Sequence, residues 1–300
     1  MRIAALDIGG TSIKSAVWED GVLEGVRETD TNAKQGGPYV MEAAMRILGA
    51  YLPFDAIGIS TAGQVDSEHG TIYYANENIP HYTGMEVRRI LEERFGVPVT
   101  VENDVNAAAL GEGAFGAAVS CRDYLCLTYG TGVGGAIVWN HEIYTGSSWS
   151  AGSFGGILVH PAEQKPGVEF SGCYEHYAST TALVKQAAQL DPSLRNGRAV
   201  FEAMERDEVR ALVDRWIDEI LYGLTTLIHV FNPSDIVLGG GVMEQTYVIE
   251  EIQRRISERV SAGFRTVRIV KAALGNRAGL LGAVSQARER AAGGAGQNGG

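Results

Sequence analysis

The sequence has 300 residues, 45% of them hydrophobic and 20% charged, with a formal net charge of −11. That length exceeds the usual single-domain range and allows a sizeable core, so two lobes around a cleft are expected. The acidic balance argues against nucleic acid or an anionic membrane as partner, and no run of about 18 apolar residues spans a bilayer. Cys121, Cys126 and Cys173 match neither a disulfide framework nor a tandem metal motif. With a strand beginning within two residues of Met1, no signal peptide is expected, and the protein is read as cytoplasmic.

Residues 3–8 form an apolar run interrupted only by Asp7, and Gly9-Gly10 turn the chain into a second extended run over 13–18. Asp20-Gly21 then leads into a third over 22–29. Helical spacing predicts helices over 39–52, 85–95 and 105–114, with a buried strand over 56–60. The opening grammar returns downstream, with strands over 124–129, 136–139 and 142–144 separated by Gly130-Thr131-Gly132 and Asn140-His141. Leu6-Asp7 then aligns with Leu127-Thr128, and Val17-Trp18 with Val138-Trp139, which suggests two related lobes.

Beyond residue 180 the pattern is mainly helical, over 181–189, 199–204, 209–230, 247–260 and 278–291. One strand, 235–238, runs into Gly239-Gly240-Gly241. Helices and strands in this order make an α/β fold. The expected domains are an N-terminal lobe over 1–117, a C-terminal lobe with helical insertions over 118–276, a helix over 277–292 returning to the first lobe, and a flexible Gly-rich tail over 293–300.

The glycine turns after three strands carry the chemistry. Glycine permits positive φ and close backbone approach, so such turns suit phosphate oxygens. The first two each lead into another strand, unlike a P-loop or a dinucleotide fingerprint, which open a helix. Asp7 sits just before the first turn, where an unpaired buried carboxylate is costly, and a water-held Mg²⁺ would give it a partner. An N–H-capped turn aspartate is the plainer alternative. In Glu102-Asn103-Asp104-Val105-Asn106 a strand passes into a helix, and taken alone Asp104 reads as an N-cap.

Together these segments resemble the ROK family of sugar kinases, which has the two-lobed actin-like ATPase (ribonuclease H-like) fold with its active-site cleft between the lobes. Leu6 to Thr11 with Lys14 is similar to the family's first phosphate motif, and Thr128 to Gly135 to its second. Glu102 to Asn106 is similar to the catalytic segment, Val237 to Val242 to the adenosine motif, and Gly275 to Gly279 to the C-terminal signature.

The resemblance implies ATP and Mg²⁺ as cofactors and transfer of the γ-phosphate to a hexose hydroxyl, the 6-hydroxyl. Glucose, N-acetylmannosamine and a β-glucoside are the candidate acceptors. It implies Asp104 as general base and sugar contact, with Asn103, Gly63, Asn78 and Glu175 on the sugar. It further implies Asp7, Gly9, Gly10, Thr11, Lys14, Thr131, Gly132 and Gly240 on ATP, with Asp7 on Mg²⁺ through water. A homodimer is implied by the resemblance alone.

Zinc-containing members carry a sugar-binding glutamate and a zinc-binding histidine where this chain has Ser153 and Gly156, and a cysteine run where this chain reads Pro166 to Glu175. Three of the four zinc ligands are thereby missing, and no zinc is expected; His160, Cys173 and His176 lack a clear fourth ligand. With Ser153 as a candidate sugar contact, the changes suggest a pocket enlarged on the C1–C2 side, with Trp149, His160 or His176 as replacement contacts. The competing classes are a transcriptional regulator, for which the first phosphate motif begins too early, and a catalytically weak sugar sensor.

Overall fold

The computed structural model describes residues 1–297, which fall into two compact units. The first comprises Met1–Val119, Glu142–Ala151 and the chain from Asn276 onward; the second comprises Ser120–His141 and Gly152–Gly275. Residues 142–151, grouped from sequence with the lobe over 118–276, thus cluster with the first unit.

The first unit opens with the meander β1 (Arg2–Ile8), β2 (Ser12–Glu19) and β3 (Val22–Asp30). It continues through α1 (Gly37–Gly49), β4 (Ala56–Thr61), the hairpin β5 (Gln64–Asp66) and β6 (Thr71–Tyr74), α2 (Val87–Phe95), β7 (Val99–Asn103) and α3 (Asp104–Phe115). Its main sheet has the order β3-β2-β1-β4-β7, antiparallel in the meander and parallel across β1, β4 and β7.

The second unit begins with β8 (Tyr124–Tyr129) and β9 (Val133–Trp139), and the two-residue strand β10 (Glu142–Ile143) follows in the segment assigned to the first. Then come α4 (Glu175–Ala178), α5 (Thr180–Leu190), α6 (Gly197–Glu202), α7 (Asp207–Phe231), β11 (Asp235–Gly239), α8 (Thr246–Arg259) and β12 (Arg268–Lys271). Within this unit the sheet runs β9-β8-β11-β12. The expectation of a single strand beyond residue 180 is corrected by β12, a four-residue strand with charged ends and only Ile269 buried, too short for a periodic signal.

The last helix, α9 (Ala278–Gln297), is longer than expected. It runs through Gly293, Gly294 and Gly296 to Gln297 although glycine is a poor helix former, while residues 298–300 of the expected tail lie outside the described residues. Among the described residues no helix is long and apolar enough to cross a membrane.

Strand alternation allots side chains to the two faces of the first sheet. Ala4, Leu6 and Ile8 of β1 join Ile57 and Ile59 of β4 in the larger core, whereas Ile3 and Ala5 meet Leu280 and Val284 of α9. Small residues let α9 approach closely: a methyl on Gly282 would overlap the Ala107 carbonyl of α3, and one on Gly58 the Ala283 carbonyl. This seats the N-terminal turn of α9 at the carboxyl ends of β1 and β4, where open α/β sheets bind ligands.

In the second unit α7 buries Val209, Leu212, Val213, Trp216, Ile217 and Ile220 at helical spacing. Its polar side meets α8 through Arg255, which pairs with Asp214, Asp218 at 3.4 Å and Glu251 at 2.6 Å. The Arg254 guanidinium, 2.7 Å from Glu251, and then Arg255 hold the Glu251 carboxyl down at about 2, below its usual value of 4.5. Arg255→Ala is expected to cost roughly 1–2 kcal/mol, between exposed and buried ion pairs. The folded carboxylate is favoured over the unfolded one above pH 4.5, and that advantage disappears as pH falls toward 2. Thermal melts of both proteins should therefore differ most above pH 5 and converge in acid.

Candidate active site

The passage from β7 into α3 organises the first group of polar residues. Asn103 is the cap: its Oδ1 accepts the N–H groups of Val105 at 2.9 Å and Asn106 at 3.2 Å. Asp104 is the first helical residue, and its Oδ1 accepts from Val105 N at 2.9 Å and Asn103 Nδ2 at 2.9 Å. The capping reading of Asp104 therefore passes to its neighbour. Burial of the Asp104 carboxyl, followed by the negative charge of Asp7, pushes its pKa from 3.8 up to about 6 despite those bonds.

Asp7 lies one residue from the end of β1, opposite Ser60 of the parallel strand β4. Ser60 is fully buried, and its hydroxyl donates to Asp7 Oδ1 at 2.7 Å. Lys14 Nζ stands 3.7 Å from Asp7 Oδ2, and Gly279 of α9 packs so closely that a methyl there would sit 3.0 Å from the Asp7 carboxyl carbon. One hydroxyl bond and one long ion pair leave acceptor capacity on Asp7 for a hydrated cation.

Beside it, the first glycine turn is clipped by the buried Thr31, which donates its hydroxyl to the Gly9 carbonyl at 2.7 Å and its N–H to the Thr11 carbonyl at 2.9 Å. Gly10 and Thr11 remain at the surface.

Gly63 joins the Asn103 group because its carbonyl accepts from Asn103 Nδ2 at 2.8 Å. Its φ of 101° and the nearby Tyr74 carbonyl restrict the position to glycine. Asn78 is exposed, and its N–H donates to Asn76 Oδ1 at 3.1 Å.

In the second unit the hairpin joining β8 to β9 is closed by Gly130 N donating to the Gly132 carbonyl at 3.0 Å. Thr180, at the start of α5, donates its N–H to the Gly130 carbonyl at 3.0 Å and its hydroxyl to the Tyr129 carbonyl at 3.1 Å. Glu175 is drawn to the same hairpin, its Oε2 accepting from Val133 N at 3.0 Å. This turn forms one wall of a cleft of about 1060 Å³ lined by Gly130, Thr131, Thr180, Phe201, Gly241 and Val242. The size suits a nucleotide. Gly240, with φ of 105°, lies against the Tyr129 backbone and holds the third glycine turn beside the second.

Several residues of this cleft escaped sequence reasoning. Thr180, Lys185, Arg198 and Phe201 come from α5 and α6, whose amphipathic patterns carry no mark of a ligand. Ser60 stood at the end of an apolar strand, and only the strand register places it beside Asp7.

The segment that departs from the zinc pattern folds as an irregular hairpin. Tyr174 N donates to the Ile157 carbonyl at 2.7 Å, Val159 N to the Gly172 carbonyl at 3.0 Å, and the Ser171 hydroxyl closes the loop by accepting from Lys165 N at 2.9 Å. His160 faces Glu219 at 2.8 Å and stacks 4.1 Å from the Tyr177 ring, while Cys173 Sγ donates weakly to the Ser171 carbonyl at 3.8 Å. Among the described residues no group of three or more His, Cys, Asp or Glu side chains is placed to hold a metal ion. Ser153 caps and Gly156 ends a short 3₁₀ turn whose Phe154 and Gly155 are buried while Ser153 and Gly156 are exposed, and a methyl on Gly156 would touch Phe170 at 3.7 Å.

Known proteins match the chain over nearly its whole length. The family profile described as "ROK family" matches residues 3–290. The chain is 33% identical to a glucokinase of Streptomyces coelicolor, over 95% of this chain and 96% of that protein. It is 31% identical to a beta-glucoside kinase of Klebsiella pneumoniae, covering 95% of both. A ROK family glucokinase from Streptomyces griseus, solved in complex with glucose and AMPPNP, superposes with a TM-score of 0.80 at 30% identity, covering 96% of this chain and 100% of that one.

Proposed function

We propose, from the premise that the chain belongs to the ROK family and is a sugar kinase with the actin-like ATPase fold, that it transfers the γ-phosphate of ATP to the 6-hydroxyl of a hexose with Asp104 as general base. The observation that carries this is the Asp104 carboxyl: one oxygen is held by Asn103 and Val105, and its proton affinity is raised to about 6. Above that pH it is ionised yet basic enough to take a hydroxyl proton as the oxygen attacks phosphorus. Asn103 orients it and offers the Gly63 loop a fixed position beside the sugar.

ATP is read into the cleft of the second unit, its phosphates on the glycine turn at 130–132. Gly9, Gly10, Thr11 and Lys14 would meet phosphate oxygens from the first turn. Asp7 would hold Mg²⁺ through water, and that ion would neutralise charge on the transferred phosphoryl group.

The exposure of Ser153 and Gly156, where a small hydroxyl and a bare backbone replace a glutamate and a histidine, supports a hexose carrying a C1 substituent, a β-glucoside, over free glucose or N-acetylmannosamine. A site without the acidic acceptor loses its preference for a free C1–C2 edge. Coupled ADP release over a panel of hexoses and glucosides tests both parts. Faster turnover of at least one C1-substituted sugar than of the free hexose is expected; equal or lower turnover of every one sinks the enlarged pocket. Measurable sugar binding with no ADP from any of them would favour a sensor.

A further inference from the structure

Glu102 has no part in that chemistry, yet it is 1% exposed and charged groups are costly to bury. Its surroundings consist of donors. Oε1 accepts from Asn103 N at 2.9 Å and Asn106 Nδ2 at 3.0 Å, Oε2 accepts from Gln286 Nε2 at 3.3 Å, and the Ser67 hydroxyl adds a further bond. Burial raises the Glu102 pKa, and all of these bonds oppose the rise.

The strand registers explain the placement. Asp7 of β1 pairs with Ser60 of β4, and Ser60 pairs with Glu102 of β7, so the three form one polar row at the carboxyl ends of the parallel strands. Helix α9 touches both ends of that row, with Gly279 at Asp7 and Gln286 at Glu102.

We propose that Glu102 is a positioning residue for phosphoryl transfer: its carboxyl fixes the Asn103 backbone and the first turn of α3, and through Gln286 it ties Asp104 to the C-terminal helix. The inference rests on the reading of Asp104 as base. Asn103 can hold Asp104 Oδ1 only while its own backbone is fixed, and Glu102 supplies that fixation from one side and Asn106 relays it from the next turn. Hydrogen bonding rather than charge is the means. A glutamine retains Oε1 for Asn103 and Asn106, and its amide NH₂ can donate to the Gln286 oxygen, which is buried and without a partner, once that amide turns over.

The test uses Glu102→Ala, Glu102→Gln and Gln286→Leu in the full chain, with sugar and ATP affinities, kcat and its pH profile. Small displacements of a reacting group cost up to about 10²-fold, so Glu102→Ala should lower kcat roughly 10- to 100-fold at nearly unchanged affinities. Its acid limb should also move to higher pH, because a loosened Asn103 no longer stabilises the Asp104 carboxylate against burial and the Asp7 charge. Glu102→Gln should recover most of kcat, and Gln286→Leu should show a milder loss in the same direction.

A folded Glu102→Ala protein with wild-type kcat and acid limb overturns the proposal, as does a Glu102→Gln protein as slow as the alanine variant. Should Glu102→Ala fail to fold, Gln286→Leu decides: an unchanged kcat and pH profile overturns the tie to α9. Asp104→Asn, run in parallel, separates the two readings. Full turnover there removes the base itself, whereas its loss beside an unaffected Glu102→Ala removes only the positioning role.

Discussion

Asp104→Asn should lower kcat by roughly 10²–10⁴-fold, the contribution of a positioned general base, with sugar and ATP affinities close to wild type. The substitution keeps Oδ1 for the donors Asn103 Nδ2 and Val105 N, so the local geometry has reason to persist. It also removes a carboxylate whose ionisation the fold disfavours. The folded chain holds the Asp104 proton up to about pH 6 while an unfolded chain releases it near 3.8, so ionising this residue costs stability once pH rises through that window. The variant should therefore melt no lower than wild type at pH 8. Purified Asp104→Asn protein with undiminished ADP release would remove Asp104 from the base role.

The pH profile of the wild-type enzyme gives the second large effect. The base must be deprotonated, so kcat/KM, which reports the free enzyme, should level off above about pH 7, be half-maximal near 6 and fall tenfold per unit well below it, close to 100-fold by pH 4. The unshifted carboxylate value of 3.8 would leave activity nearly intact at pH 4.5. The cause of the shift can be separated by mutation. Burial acts first and Asp7 second, so Asp7→Asn should move the acid limb downward while weakening the nucleotide side of the reaction. A limb at 4 in the wild-type protein would mean that water reaches the Asp104 carboxyl far better than the packing indicates.

Much of the chain was legible because its signals are local. The runs at residues 3–8 and 124–129 alternate or stay apolar over strand-length windows, and the glycine turns after them need no partner elsewhere to be recognised. The helices from residue 181 to 260 follow from spacing alone. The hairpin of β5 and β6 and the short strand β12 were missed because three or four residues give period-2 alternation too little length to show.

The site divides along the same line. Asp7, Asn103, Asp104 and the glycines were visible through their order in the chain, and the family they indicated is the one the comparisons return. Order alone left Asp104 as either cap or base. The fold assigns the cap to Asn103, because its oxygen accepts from both Val105 N and Asn106 N, whereas Asp104, already the first helical residue, accepts from Val105 N.

By itself the sequence determined the α/β class, the paired glycine hairpins and the acidic residues beside them, all of which are written in near neighbours. Only the tertiary structure decided that Ser60 partners Asp7, that Glu102 and Gln286 close over the Asn103 turn, and that Glu175 leans on the second hairpin. Those pairings depend on strand register and on a helix more than 170 positions away in the chain, and register is set by packing across the whole sheet rather than by any local run of residues.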